Sequence, residues 1–187
     1  MKIVLIGMSG SGKTTFGSFI ATLMNMPLID TDVEICKKYS DISAIFNSAG
    51  EKVFREFENH EGMLASMQDN CIVATGGGMV LNEEAMRALR KNSLVVYLNC
   101  DVDFLFSRLE GKEDRPLLNG ENKKEKIEEM LRKRSDLYFK YAHIVLNESG
   151  ILRSRNLLEE PQEIQLGALY VEFMRAFEKR VYSKYSG

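Results

Sequence analysis

The chain has 187 residues, 44% of them hydrophobic and 28% charged, with a formal net charge of -2. That length allows one substantial core and that composition is globular, which excludes an intrinsically disordered chain. The absence of a basic excess or a basic stripe argues against a nucleic-acid binder, and no stretch approaches the roughly 20 apolar residues of a membrane-spanning helix.

The chain opens on a short apolar run, Ile3-Val4-Leu5-Ile6, which Gly7 ends too soon for a signal peptide. It reads as a strand over 2–6. The next residues, Gly7-Met8-Ser9-Gly10-Ser11-Gly12-Lys13-Thr14, fit GxxxxGK[ST], and a helical pattern over 13–24 follows directly. A strand before and a helix after are the context this motif requires. Glycines let the backbone turn around an anion, and the helix N-terminus adds free N–H groups and positive potential. Lys13 can reach the β- and γ-phosphates of a nucleotide, and the Thr14 hydroxyl is placed for Mg²⁺.

Further strands are expected over 27–30, 71–74, 94–98 and 142–146, with helices over 33–38, 43–49, 51–67, 82–91 and 102–109. Alternation of this kind predicts a parallel sheet covered by helices. The 110–126 segment is rich in Gly, Asn, Lys and Glu, with only Leu117 and Leu118 apolar, and reads as a surface loop or lid. The 147–165 passage is polar and irregular. After it, Leu169, Tyr170, Phe173, Met174, Phe177 and Val181 recur at helical spacing within a final helix over 166–182. The three cysteines, Cys36, Cys71 and Cys100, are widely spaced and form no CxxC pair, which suits reduced thiols and a cytoplasmic location. His60 and His143 carry no motif and are given no role.

The phosphate loop alone does not separate kinases from GTPase switches, ATPases or regulatory nucleotide-binding modules. A guanine-reading NKxD string is missing, since Asn122-Lys123-Lys124-Glu125 lacks the Asp. The 71–74 strand runs into Thr75-Gly76-Gly77-Gly78, where P-loop ATPases usually place an acidic residue for Mg²⁺. Asp30 and Asp32 stand at the end of the second strand, outside which ligands gather in a parallel sheet. They can serve a metal and a hydroxyl proton, or one can simply cap the following helix. Arg55 and Glu58 form an i, i+3 pair whose bland reading is a surface salt bridge, and Arg134 alone would read as part of a solvated basic face.

Taken in order, the phosphate loop, Asp30-Thr31-Asp32, Phe54-Arg55 with Glu58, Gly76-Gly77-Gly78, Arg115-Pro116-Leu117-Leu118 and Arg134 four residues before Tyr138 resemble the shikimate kinases over about residues 2–146. The resemblance implies a P-loop NTPase-type three-layer α/β/α sandwich with a five-stranded parallel sheet. It also implies one domain over 1–187, with a helical substrate-binding region at 31–62, a lid at 110–126 and an adenine-side loop and C-terminal helix at 147–187.

It further implies MgATP-dependent phosphorylation of the 3-hydroxyl of shikimate, in aromatic amino acid biosynthesis. Gly10, Ser11, Gly12, Lys13, Thr14 and Thr15 would hold the nucleotide, with Arg108 stacking on adenine and Arg115 meeting the transferring phosphoryl group. Thr14 and Asp30 would serve Mg²⁺, and Asp32 would bind the acceptor hydroxyls and act as base. Arg55 and Arg134 would grip the acceptor carboxylate beside Gly76, Gly77 and Gly78. ATP and shikimate are then the partners, with no nucleic acid or membrane, and a monomer is the family expectation. Another small-metabolite kinase, for gluconate or a nucleoside monophosphate, is the nearest alternative. The long 147–165 passage departs from the family pattern and leaves the adenine contacts after Asn147 unassigned.

Overall fold

The computed structural model describes residues 1–111, 116–118 and 121–185. Five parallel strands are β1 (Lys2–Ile6), β2 (Leu28–Asp30), β3 (Ile72–Ala74), β4 (Ser93–Asn99) and β5 (Ile144–Asn147). Their order is β2-β3-β1-β4-β5, so the chain leaves β1 towards one edge and after β3 crosses to the other. The point where that direction reverses lies beside β1. A cleft opens there outside the carboxyl ends of the strands, and it is where such sheets bind ligands.

The strands read as near-continuous apolar runs because both faces are covered. Val4 and Ile6 of β1 pack on one side with Met86, Leu89, Leu105 and Tyr138. Ile3 and Leu5 pack on the other with Phe16, Ile20, Leu169 and Phe173. These two clusters are the two interfaces of a three-layer α/β/α sandwich, as the resemblance implies. A third, smaller cluster of Ile35, Ile45 and Phe54 holds together α2 (Thr31–Lys38) and α3 (Ile42–Ser66).

Several elements differ from the sequence reading. The two helices expected over 43–49 and 51–67 run as one span, α3, interrupted at Gly50, whose φ of 80° and ψ of 175° break the helical path. The second helix starts at Thr31, two residues early, because Asp30 caps it: its Oδ1 accepts from the N–H groups of Asp32 and Val33. A helix not expected at all, α6 (Lys123–Tyr141), follows the lid segment and takes in the last residues assigned to that lid. Its buried stripe is Ile127, Arg134, Tyr138 and Tyr141, and an arginine in the middle of the stripe hides the helical period.

Within the 110–126 segment, Pro116–Leu118 form a 3-10 turn that buries Leu118. The 147–165 passage is not irregular throughout either. It contains α7 (Glu148–Ser154), and the last helix, here α8 (Gln162–Tyr185), begins four residues before the expected start. The remaining helices, α1 (Lys13–Met24), α4 (Glu83–Arg90) and α5 (Val102–Leu109), lie close to where the periodicity places them. Among the described residues no helix is long and apolar enough to cross a membrane.

The final helix packs as part of the sheet's cover. Phe173 is 1% exposed and meets Phe16 edge-on, with ring centroids 6.3 Å apart. Phe173→Ala is therefore expected to cost about 3–5 kcal/mol of stability in urea unfolding, whereas Val171→Ala on the solvent side of the helix should stay within about 0.5 kcal/mol.

Candidate active site

The first half of the cleft is the loop between β1 and α1. Gly12 occupies the N-cap position of α1 with φ 76°, a left-handed conformation that only glycine takes without strain. Among the described residues no side chain caps α1, which leaves its first N–H groups to an anion. Lys13 is 8% exposed and folds over the loop, its Nζ donating to the carbonyls of Gly7 at 2.9 Å and Met8 at 2.8 Å. The Thr14 hydroxyl donates to Asp30 Oδ2 at 2.5 Å. Asp30 is thus a helix cap, as one of the two sequence readings has it, and its second oxygen is turned to Thr14 at the mouth of the loop. A groove of ≈ 520 Å³ runs over this loop, lined among others by Lys13, Thr14, Thr15, Asp30, Asp32 and Arg108. From α8, Gln162 and Gln165 also border it.

Magnesium habitually takes one or two protein oxygens and completes its shell with water and phosphate. A hydroxyl and a carboxylate side by side at the mouth of a phosphate loop fit that habit. Among the described residues no group of three or more His, Cys, Asp or Glu could build a dedicated metal cage.

The second half of the cleft is built around Gly76, Gly77 and Gly78, which follow β3. Gly76 donates its N–H to the Thr31 hydroxyl at 2.9 Å. A Cβ on Gly76 would sit 2.5 Å from Asp32 Oδ1 and 2.6 Å from Glu58 Oε1. On Gly77 it would lie 2.9 Å from the Ser9 nitrogen, and on Gly78 1.9 Å from Arg55 Nη1. Side chains and the phosphate loop therefore occupy the volume that any other residue type would fill.

Arg55 is held from both sides within α3. Its Nη1 is 2.6 Å from Glu58, while Nε and Nη2 donate to Glu51 Oε1 at 3.2 and 2.8 Å. The surface salt-bridge reading fails for the first pair, since Glu58 is only 1% exposed. Burial pushes the Glu58 carboxyl above its ordinary range. Arg55 and Arg134 pull it back, and the neighbouring Asp32 adds to the upward push.

Arg134 is likewise no solvated face: it is 6% exposed and donates to the Gly77 carbonyl at 3.2 Å. Tyr138, one turn later, donates to the same carbonyl at 2.6 Å and stacks on Tyr97 at 4.8 Å. Burial holds the Tyr138 phenol well above its usual range, so it stays a donor. Arg55, Glu58, Asp32, Gly78 and Arg134 border a small chamber of ≈ 50 Å³, with Phe46 and Phe54 as apolar wall.

Asp32, Ser9 and Gly77 line both the groove and the chamber. The two spaces share a wall, and a carboxylate stands in it. Of the residues named from the sequence, Gly10, Gly12, Lys13, Thr14, Thr15, Asp30 and Arg108 line the groove, and Arg55, Gly78 and Arg134 line the chamber, while Ser11 is buried within the loop and Gly76 lies against the Asp32 and Glu58 carboxylates. Arg115 lies outside the described residues.

Arg108 lies on α5, its guanidinium 4.1 Å from the Phe104 ring centroid and its Nη1 2.7 Å from Glu148 Oε1. Sequence reasoning missed Glu148 as a site residue. The available signal was its position directly after the last strand, at the ligand-binding end of the sheet.

A family model described as shikimate kinase matches residues 9–161. A shikimate kinase of Thermodesulfovibrio yellowstonii is 39% identical over 152 residues, covering 80% of this chain and 87% of the relative. Among solved structures, shikimate kinase from Acinetobacter baumannii in complex with shikimate superposes with a TM-score of 0.83 at 28% identity, covering 95% of this chain and 93% of that one. The Bacteroides thetaiotaomicron shikimate kinase gives 0.81 at 28% identity, covering 95% and 98%. The chain belongs to the shikimate kinase family.

The glycine run yields a direct test. Gly76 has no left-handed backbone, so alanine can take its conformation, but the new methyl must displace the Asp32 and Glu58 carboxylates. Gly76→Ala should fold, by circular dichroism, yet lose at least about a hundredfold in kcat/KM, because misplacement of catalytic groups by about 1 Å has that scale of effect. Gly167→Ala, with nothing within 4 Å of the new methyl, serves as the control expected to leave turnover unchanged.

Proposed function

We propose that this member of the shikimate kinase family transfers the γ-phosphoryl group of ATP to the 3-hydroxyl of shikimate, giving shikimate 3-phosphate and ADP. The observation that carries the reading is the shared wall: Asp32 borders both a phosphate-loop groove and a chamber flanked by two arginines. A phosphoryl group bound on one side and a carboxylated polyol bound on the other would meet at that carboxylate.

In this reading the N–H groups of Gly10, Ser11, Gly12, Lys13, Thr14 and Thr15 cradle the phosphates. Lys13 leaves the Gly7 and Met8 carbonyls for the β- and γ-phosphates, exchanging neutral acceptors for anionic ones that add the attraction of opposite charges to the hydrogen bond. Thr14 and Asp30 hold Mg²⁺, which when bound supplies neutralisation of phosphate charge. Asp32 accepts a hydrogen bond from the 3-hydroxyl, orients its oxygen towards phosphorus and takes its proton as the bond forms. Arg55 and Arg134 offer planar N–H donors to the acceptor's carboxylate, and the Gly76–Gly78 backbone lets the ring approach closely.

Arg108 takes the base of the nucleotide on the face turned away from Phe104. Arg115, assigned from the sequence alone, meets charge developing on the transferring group when the lid closes. The division into a substrate-binding region at 31–62, a lid beginning at residue 110 and a C-terminal adenine side belongs to the same reading. So does a monomer acting in the cytoplasm, the first as the family expectation and the second in keeping with three widely spaced cysteines that form no CxxC pair.

Coupled measurement of ADP release tests the proposal with MgATP plus shikimate, gluconate, nucleoside monophosphates or no acceptor. Shikimate-dependent release is expected, and none from folded protein sinks the reading. Arg55→Lys removes the fork but keeps the charge. It should raise the shikimate KM by about ten- to a hundredfold, the scale of a hydrogen bond to a charged group, while the ATP KM stays within about twofold. An equal rise in both would count against the acceptor role.

A further inference from the structure

One buried charge near the phosphate loop has no part in that scheme. Glu148 is the first residue of α7 and is 2% exposed. A carboxylate at that depth costs several kcal/mol unless it is paired and hydrogen-bonded. Its Oε1 lies 2.7 Å from Arg108 Nη1, and its Oε2 accepts from the Cys100 thiol at 3.6 Å. Burial and the Glu148 charge push that thiol far above its usual range, so Cys100 remains a protonated donor.

The pair rests on the phosphate loop itself. The position of a Cβ on Gly12 lies 3.1 Å from Arg108 Nη1 and 3.5 Å from Glu148 Oε1, and Arg108 Nη1 approaches the Gly10 carbonyl at 3.5 Å. Arg108 borders the nucleotide groove, whereas Phe104, against which its guanidinium lies, does not.

We infer that Glu148 is a positioning residue for the nucleotide: it clamps Nη1 of Arg108 so that the guanidinium stays over the Phe104 ring at the border of the groove. This rests on the reading of Arg108 as the contact to the nucleotide base. An arginine side chain carries about 2 kcal/mol of rotamer entropy, and a cation that must be ordered at each binding event weakens that event. A carboxylate that is buried, close and braced by Cys100 has ordered it beforehand. The passage after β5, whose adenine contacts the sequence leaves unassigned, thereby contributes to nucleotide affinity through its first helical residue.

Steady-state kinetics and ADP titrations on the full chain test this with Glu148→Ala, Glu148→Gln, Arg108→Ala and the double variant Glu148→Ala/Arg108→Ala. Glu148→Ala should raise the ATP KM and the ADP Kd about tenfold, and Glu148→Gln, which keeps an acceptor oxygen, about threefold, with the shikimate KM within about twofold in both. The double variant should be no weaker than Arg108→Ala, because a residue acting through another adds nothing once that other is gone.

Additive losses, or a normal ATP KM in Glu148→Ala beside a raised one in Arg108→Ala, overturn the positioning role while leaving the Arg108 reading intact. A normal ATP KM in Arg108→Ala overturns that reading and this inference with it. If Glu148→Ala does not fold, Glu148→Gln decides: equal rises for both substrates indicate a merely structural carboxylate and overturn the inference.

Discussion

Three successive residues without side chains at the end of β3 set the geometry on which the cleft depends. Asp32 and Glu58 stand where a Gly76 side chain would be, the phosphate loop at Ser9 where a Gly77 side chain would be, and Arg55 where a Gly78 side chain would be. These four neighbours come from three separate parts of the chain: Asp32 from α2, Arg55 and Glu58 from α3, and Ser9 from the loop after β1. The strand order brings them together, since β3 lies between β1 and β2 and its carboxyl end faces both the loop and the first turn of α2. Close approach of this kind is steric permission and not attraction. What binds the parts is a set of directional bonds: the Gly76 N–H to Thr31, and Arg134 and Tyr138 to the Gly77 carbonyl.

Buried charge supplies the second constraint. Glu58 and Arg134 are buried where a lone ion would be costly, and Arg55 and Asp32, half-buried at the edge of the chamber, interact with Glu58. Such a cluster is weak support for stability, because apolar residues would fill the same volume at less desolvation cost. In the proposed function its value lies in what it offers an acceptor: two guanidinium groups already oriented, with a carboxylate next to them at the border of the phosphate groove. Arg108 and Glu148 repeat the pairing of a cation with a buried acid on the groove side. Orientation settled during folding need not be settled again at each turnover.

The sheet and the phosphate loop are legible in the sequence because their signals are local. Short apolar runs ended by glycine, and a glycine pattern between strand and helix, need no knowledge of tertiary contacts. The break in α3 is legible for the same reason, as Gly50 marks it. What escapes is the structure whose pattern is set by distant partners. α6 looks like a solvated, highly charged stretch because Arg134 takes a place on its buried face, and only the Gly77 carbonyl, 57 residues away, explains why a cation can be there. Glu148 is legible only by its position after the last strand: nothing near it in the chain announces the Arg108 that makes its burial tolerable. Asp30 shows a subtler limit. Helix cap and site residue look like rival readings of one aspartate until its two oxygens are seen facing different partners.

The central claim is that two guanidinium groups hold the charged end of the acceptor while Asp32 meets its hydroxyl, and the acceptor's own chemistry tests it most directly. Turnover can be compared between shikimate and its carboxamide, which keeps the ring and every hydroxyl but removes the negative charge. A loss of at least about a hundredfold in kcat/KM is expected for the carboxamide, the scale for one buried and one half-buried cation losing a charged partner, with the ATP KM unchanged. Equal kcat/KM for the two acceptors would contradict it.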